Sequence, residues 1–258
     1  MDWLEALAIF GAGMAAGTIN TLVGSGTLIT FPTLLAFGFA PVTANISNNI
    51  GLVPGGVSGS FGYRAELSGQ RGRIMRLGPM SVLGSITGAV LLLVLPAAAF
   101  TTIVPILLGI SLVLVIIQPR MQRMLQKRRA ENGAGDPSRG HGVLVAAGTY
   151  SAGVYGGYFG AAQGILLIGL LGILLPEPLQ RLNALKNVLS LIVNSVAAVT
   201  FATLAFGRID WAVVGLIAAG SLAGGFIGAG VGRRLPPVVL RTLIVVVGVV
   251  AIWQILAR

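Results

Sequence analysis

The chain has 258 residues, of which 55% are hydrophobic and only 9% charged, and its mean hydropathy is +0.92. Soluble domains carry about 25% charged residues, so this composition excludes a water-soluble globular protein. The net charge of +10 reads as the Lys/Arg excess of cytoplasmic loops in a membrane protein, not as a nucleic-acid footprint. There is no cysteine, which removes disulfides, thiolate metal sites and iron–sulfur clusters.

Ten apolar segments follow in chain order. The first half gives 4–23, 27–38, 44–62, 75–95 and 98–117. The second half gives 142–160, 163–176, 184–206, 211–231 and 237–257. The N-terminus, Met1-Asp2-Trp3-Leu4-Glu5, has no basic region ahead of the first segment, unlike a cleaved signal peptide. Between the halves lies a polar, basic linker, 118–140, with Arg120, Arg123, Lys127, Arg128, Arg129 and Arg139. The expected organisation is a first transmembrane repeat, 1–117, the cytoplasmic linker, 118–140, and a second repeat, 141–258.

The second segment of each half is short for a bilayer crossing of about 20 residues. If all ten segments cross and the linker is cytoplasmic, only Arg208 and Arg258 of the basic residues fall outside. If the short segments merge with their neighbours, eight full spans remain. Arg181, Lys186, Arg233, Arg234 and Arg241 then move outside, while Arg208 and Arg258 move inside. The positive-inside rule favours ten crossings. An odd number per half inverts one half against the other, the arrangement of many secondary transporters. The expected fold is therefore an all-α polytopic membrane protein of two inverted repeats. Each repeat has about five helical segments, including short or broken helices; eight full spans are the alternative.

The halves also align by residue. At an offset of about 140, Gly13, Gly17 and Gly24 fall on Gly153, Gly157 and Gly164, and Asn48 falls on Asn187 with one deletion. Gly84-Ser85-Ile86-Thr87-Gly88 matches Gly220-Ser221-Leu222-Ala223-Gly224, a small-residue stripe suited to close helix packing. Pro96 falls near Pro236.

The seven carboxylates, Asp2, Glu5, Glu66, Glu131, Asp136, Glu177 and Asp210, all lie at segment ends or in loops. Buried carboxylates are the usual means of handling cations and protons inside membranes, so a cation transporter and a carboxylate-based membrane hydrolase are both disfavoured. His141 reads as a solvated residue at the linker edge. No catalytic residue, metal site or cofactor is expected.

The polar residues within the segments suit an anion. Gly24-Ser25-Gly26-Thr27 and Gly160-Ala161-Ala162-Gln163-Gly164 break their segments and begin new helices. Free N–H groups and the helix dipole at such starts favour anions. Ser25, Gly26, Thr27, Gln163 and Gly164 are the candidates there, with Asn48, Asn49, Asn187 and Asn194 as amide donors. The asparagines have an alternative role as interhelical glue. Lys186 is either a counter-charge at membrane depth or a residue snorkelling to the headgroups.

The run from Gly17 to Leu35, followed by Gly38-Phe39-Ala40-Pro41-Val42-Thr43-Ala44-Asn45, resembles the sulfite exporter TauE/SafE family of membrane permeases. Its pattern is a glycine-rich break, then Pro-x-Leu, then Gly-x-x-Pro-x-x-Ala. The Lys-bearing run Leu182-Asn183-Ala184-Leu185-Lys186-Asn187 is similar to that family's second-half segment. Gly24-Ser25-Gly26 departs from it where members often carry consecutive glycines. The resemblance implies a secondary transporter of the inner membrane. It would export sulfite, an organosulfonate or a related small anion by alternating access; a passive anion channel is the alternative. The implied partners are the anionic substrate and the lipid bilayer, with proton coupling and a homodimer as further options and no nucleic acid.

Overall fold

The computed structural model describes residues 1–132, 141–175 and 177–230, and five positions (242, 244–246 and 249) of the last segment. The segment expected at 237–257, Pro236, Arg233, Arg234, Arg241, Arg258 and linker residues 133–140 lie outside the described set. Ten α-helices are described: α1 (Trp3–Leu22), α2 (Thr27–Ala36), α3 (Pro41–Gly51), α4 (Val53–Gly62), α5 (Arg71–Val94), α6 (Ala97–Asn132), α7 (His141–Tyr158), α8 (Gln163–Leu174), α9 (Leu179–Leu204) and α10 (Trp211–Gly230). Among the described residues there is no strand, so the chain is an all-α polytopic membrane protein. Four helices are long and apolar enough to cross a bilayer, at Arg71–Val94, Ala97–Met124, Leu179–Leu204 and Trp211–Gly230. Thr27–Ala36 and Gln163–Leu174 are apolar but short.

Local sequence sets the helix boundaries. Asp2 and Glu5 form a capping box at the start of α1. Asp210 accepts from the Ala212 and Val213 N–H groups at the start of α10. Pro41 begins α3, where its missing N–H costs nothing. Pro54 separates α3 from α4, because it cannot donate to the Ile50 carbonyl. The expected segment 44–62 is thus two helices bent at Leu52. Helix α6 runs on to Asn132, through the first part of the basic run expected as linker.

Glycine contacts fix the helix directions. A Cβ on Gly13 would meet Ile217, and one on Gly17 would meet Ser221, so α1 and α10 run parallel. Gly51, Gly55 and Gly62 meet Ile217, Ser221 and Ala229, so α3–α4 runs parallel to the same pair. Gly84 meets Tyr150 and Gly88 meets Val154, so α5 and α7 are parallel. Helix α9 runs with α5, since Arg73 bonds Glu177 near one end and Ser85 Oγ donates to the Val193 carbonyl at 2.6 Å further along. The two trios oppose each other. Asn45 at the start of α3 reaches the end of α7, and Asn183 near the start of α9 reaches the end of α1.

The Gly-Ser-x-x-Gly stripes do the packing expected of them. Gly84 and Gly88 lie on the backbone of α7, and Gly220 and Gly224 on that of α1. Their serines tie a third helix: Ser85 to α9, and Ser221 to the Gly51 carbonyl at 2.8 Å. An apolar core below the breaks holds Phe31, Phe100, Tyr158 and Phe159 in edge-to-face contact.

At one end of α5 and α9, Glu177 bridges Arg73 at 2.6 Å and Arg181 at 2.7 Å. Burial pushes the Glu177 carboxyl up, but the two guanidiniums outweigh this and hold it below its ordinary value.

Candidate functional site

The two breaks meet at the centre of the fold. Helix α1 stops at Leu22, and Gly24 takes a left-handed φ of 88° before α2 begins. Helix α7 stops at Tyr158, and Gly160 takes a φ of 79° before α8. Both turns close in the same way. The Val23 and Gly24 N–H groups donate to the Ile19 carbonyl, and those of Phe159 and Gly160 to the Tyr155 carbonyl. The structural counterpart of Gly24 is therefore Gly160, which corrects the sequence pairing of Gly24 with Gly164.

Gly164 is instead the partner across the crossing. Its N–H donates to the Gly24 carbonyl at 3.1 Å, and a Cβ on either glycine would lie 2.5 Å from the other's Cα. The pairings of Gly13 with Gly153 and of Gly17 with Gly157 match the packing, since each pair meets equivalent points on α10 and α5. Helix α1 thus carries about one extra turn of 3.6 residues between its last packing glycine and its break. That turn contains Asn20 and Thr21.

The extra turn ends in carbonyls that have no acceptor role within α1. Helix α9 satisfies them from outside. Lys186 Nζ donates to the Asn20 carbonyl at 2.8 Å and reaches the Thr21 carbonyl at 3.5 Å. Asn183 and Asn187 donate to the Thr21 carbonyl at 3.1 and 3.3 Å. At the other break a single neutral amide does this work: Asn45 Nδ2 donates to the Tyr158 carbonyl at 2.9 Å. Lys186 is 1% exposed, so it does not snorkel to the headgroups.

Beside the crossing lies a cavity of about 40 Å³. That is room for about three waters. Thr27 and Gln163, the first residues of α2 and α8, both line it. One wall is the α9 face of Asn187, Ser190, Leu191 and Asn194; the facing wall is Leu52, Gly55, Gly56 and Gly59. Asn20, Thr21, Gly24, Asn49, Gly160 and Gly164 complete it. No ionisable side chain is among these residues.

Of the candidates read from the sequence, Thr27, Asn49, Gln163, Gly164, Asn187 and Asn194 come together here. Ser25, Gly26, Asn48 and Lys186 do not line the cavity. Gly26 packs on the Ala16 backbone, and its N–H is taken by Asn20 Oδ1 at 2.7 Å. Asn48 is interhelical glue, accepting from Thr30 Oγ1 and donating to Thr27 Oγ1. Ser25 is buried nearby with its hydroxyl unpartnered. Lys186 stands just behind the lining, its Cδ 3.0 Å from where a Gly164 Cβ would be.

The expected free N–H groups at the helix starts are mostly used. Gln163 donates to the Gly160 carbonyl and Gly164 to that of Gly24, while Leu28 donates to Ser25. The unused capacity is in side chains. Gln163 Nε2, Asn49 Oδ1 and Ser190 Oγ are buried without a partner, although Gln163 is only 3% and Asn49 7% exposed. Buried polar groups normally find partners, so three orphans around one cavity mark a place shaped for a polar guest. Ala162, just before α8, holds a left-handed φ of 60°, costing about 1–2 kcal/mol. Such strain gathers at functional sites.

Sequence reasoning missed Asn20, Thr21, Leu52, Gly55, Gly56, Gly59, Ser190 and Leu191. A signal existed: Ser190, Leu191 and Asn194 follow Asn187 at i+3, i+4 and i+7, one helix face.

A membrane-embedded helical bundle whose broken segments enclose a small polar cavity is the class that fold and site define. The chain belongs to the sulfite exporter TauE/SafE family, whose model matches residues 9–255. It is 29% identical over 238 residues to the Escherichia coli K12 protein named "Probable membrane transporter protein YfcA", covering 88% of this chain and 79% of that one. A Haemophilus influenzae "Probable membrane transporter protein" is 27% identical over 248 residues, covering 94% of this chain and 91% of the relative. A third, from Sinorhizobium sp, is 24% identical over 249 residues, with coverages of 96% and 91%. No solved structure matches. The chain is thus a multi-pass membrane transporter.

Proposed function

We propose that this transporter exports a small anion, such as sulfite, an organosulfonate or a related organic anion, across the inner membrane by alternating access. The observation that carries this is the cavity at the crossing, with two helix starts in its wall, the unpartnered Gln163 Nε2 and Ser190 hydroxyl donors beside it and no carboxylate among its lining residues. Helix starts favour negative charge, and amide or hydroxyl donors replace the water an anion loses. Thr27, Gln163, Asn49, Asn187 and Asn194 are the contacts, and Lys186 is the nearby positive charge.

The helix directions support two inverted repeats of five segments. Helices α1 and α3–α4 run the same way with α2 between them, whereas eight full spans would set them opposite. Arg73 and Arg181 share Glu177, so they lie on one side of the membrane, as ten crossings require. With residues 118–140 as a cytoplasmic linker between repeats 1–117 and 141–258, that side is the cytoplasm.

Counterflow in proteoliposomes tests the carrier. Internal sulfite or methanesulfonate should accelerate uptake of the labelled anion, with no large ohmic current. Current without trans-acceleration would establish the passive channel instead.

A further inference from the structure

The helix ends and Lys186, the one buried cation among the described residues, set a charge preference that the donor atoms alone do not. Helix starts carry about +0.5 of a charge and helix ends about −0.5. Six ends meet here: α2, α4 and α8 begin at Thr27, Val53 and Gln163, and α1, α3 and α7 end at Leu22, Gly51 and Tyr158. Their contributions cancel to about zero. The cavity lining adds no ionisable group.

What remains is Lys186, buried behind Gly164 with its Nζ on the carbonyls of Asn20 and Thr21. Elsewhere on the packed elements the charges lie at helix ends. Asp2 and Glu5 start α1, Arg73, Glu177 and Arg181 bind each other, and Asp210 caps α10. The ledger at the cavity therefore closes near +1.

A second observation places a ligand here. Gln163 is more than nine-tenths buried, lines the cavity and leaves its Nε2 donor unpartnered. We infer that the site is selective for singly charged oxoanions: it accepts a monoanion such as a sulfonate or hydrogen sulfite and rejects a dianion of the same shape. This rests on the anion-transport reading above and names the charge class of its substrate. A dianion would bring one uncompensated charge into a site walled by buried side chains, where such charge is costly. A neutral molecule would leave Lys186 unbalanced.

Perchlorate, methanesulfonate and sulfate are similar tetrahedral molecules carrying one, one and two negative charges. Their affinities for the detergent-solubilised protein, measured by calorimetry at pH 6, test the inference. Both monoanions should bind at least about tenfold more tightly than sulfate, a difference of about 1.4 kcal/mol. In Lys186→Met the ledger falls to about zero, so both monoanions should bind at least about tenfold more weakly, and methanesulfonate should lose its advantage over neutral dimethyl sulfone. Sulfate binding as tightly as the monoanions would overturn the charge selectivity and leave the anion site standing. Methanesulfonate that still outbinds dimethyl sulfone in Lys186→Met would show that Lys186 does not set the charge of the site and would also overturn it. Failure of all three anions to bind would overturn this inference and the anion reading together.

Discussion

The two breaks share a turn geometry but are closed by different chemistry. At Gly160 the exposed end of α7 meets one neutral amide, Asn45. At Gly24 the end of α1 runs a turn further and meets Asn183, Asn187 and the Lys186 ammonium. The lesson is that a near-symmetric backbone can hold an asymmetric charge. Asn183 stands where Asn45 does, four residues into α9 and α3 respectively, each on the opposite helix end. The added turn of α1 is what brings carbonyls within reach of Lys186.

The largest effect should come from the crossing that both breaks share. Gly24→Ala places a Cβ against Gly164 and forces an alanine into left-handed backbone. Overpacking and backbone strain together should cost about 3 kcal/mol, read as a lowered melting temperature. Gly38 also has a positive φ, but open space around it. Gly38→Ala should therefore cost only about 1 kcal/mol. Equal losses would mean that the crossing is looser than its geometry.

Next come the two closures. Lys186→Ala should reduce anion affinity more than about tenfold, because a charge within the site is lost. Asn45→Ala should leave affinity within about twofold and cost about 1 kcal/mol of stability for an unpaired carbonyl. If both variants weakened binding alike, the breaks would be functionally equivalent and the asymmetry only structural.

Gln163→Met sharpens the comparison at the α8 start. An unpartnered buried amide contributes nothing to folding, so its removal should leave the melting temperature unchanged or slightly raised. Affinity should fall by roughly tenfold, the value of a hydrogen bond to a charged group. A destabilised variant with normal affinity would make Gln163 a packing residue.

The smallest effect lies at the end of α5 and α9. Glu177→Gln should cost about 0.5 kcal/mol, as for ion pairs that water still reaches, and less in high salt. The Glu177 carboxyl is held below its ordinary 4.5. Its contribution is therefore complete above that pH and disappears as pH falls through the lowered value. The stability difference between wild type and Glu177→Gln should narrow on acidification; a gap that persists well below pH 4 would show that the pair is not its source.

Much of this was legible in the residues. Gly24 and Gly160 break apolar runs, and a lysine within an apolar segment stands out, so the crossing and Lys186 could be located. The walls were harder to see. Gly55, Gly56 and Gly59 line the cavity by having no side chain, and a glycine that leaves space reads like one that packs a helix, as Gly84 and Gly88 do. Asn48 and Asn49 are adjacent and chemically identical, yet one ties helices together and the other faces the cavity. Only the rotation of α3 about its axis separates them. Pairing Gly24 with Gly164 failed because a whole helical turn was inserted in α1, and such an insertion preserves the packing pattern upstream of it.

The glycine pair at the crossing also has a mechanical meaning. Two backbones in direct contact, with a single hydrogen bond and no side chain between them, resist approach but not rotation. In a carrier that works by alternating access they would act as a fulcrum. Tilting one half of the protein about that point would widen the space on one membrane face while narrowing it on the other. The two gates would then be opposite arms of one lever, and opening either would close its counterpart.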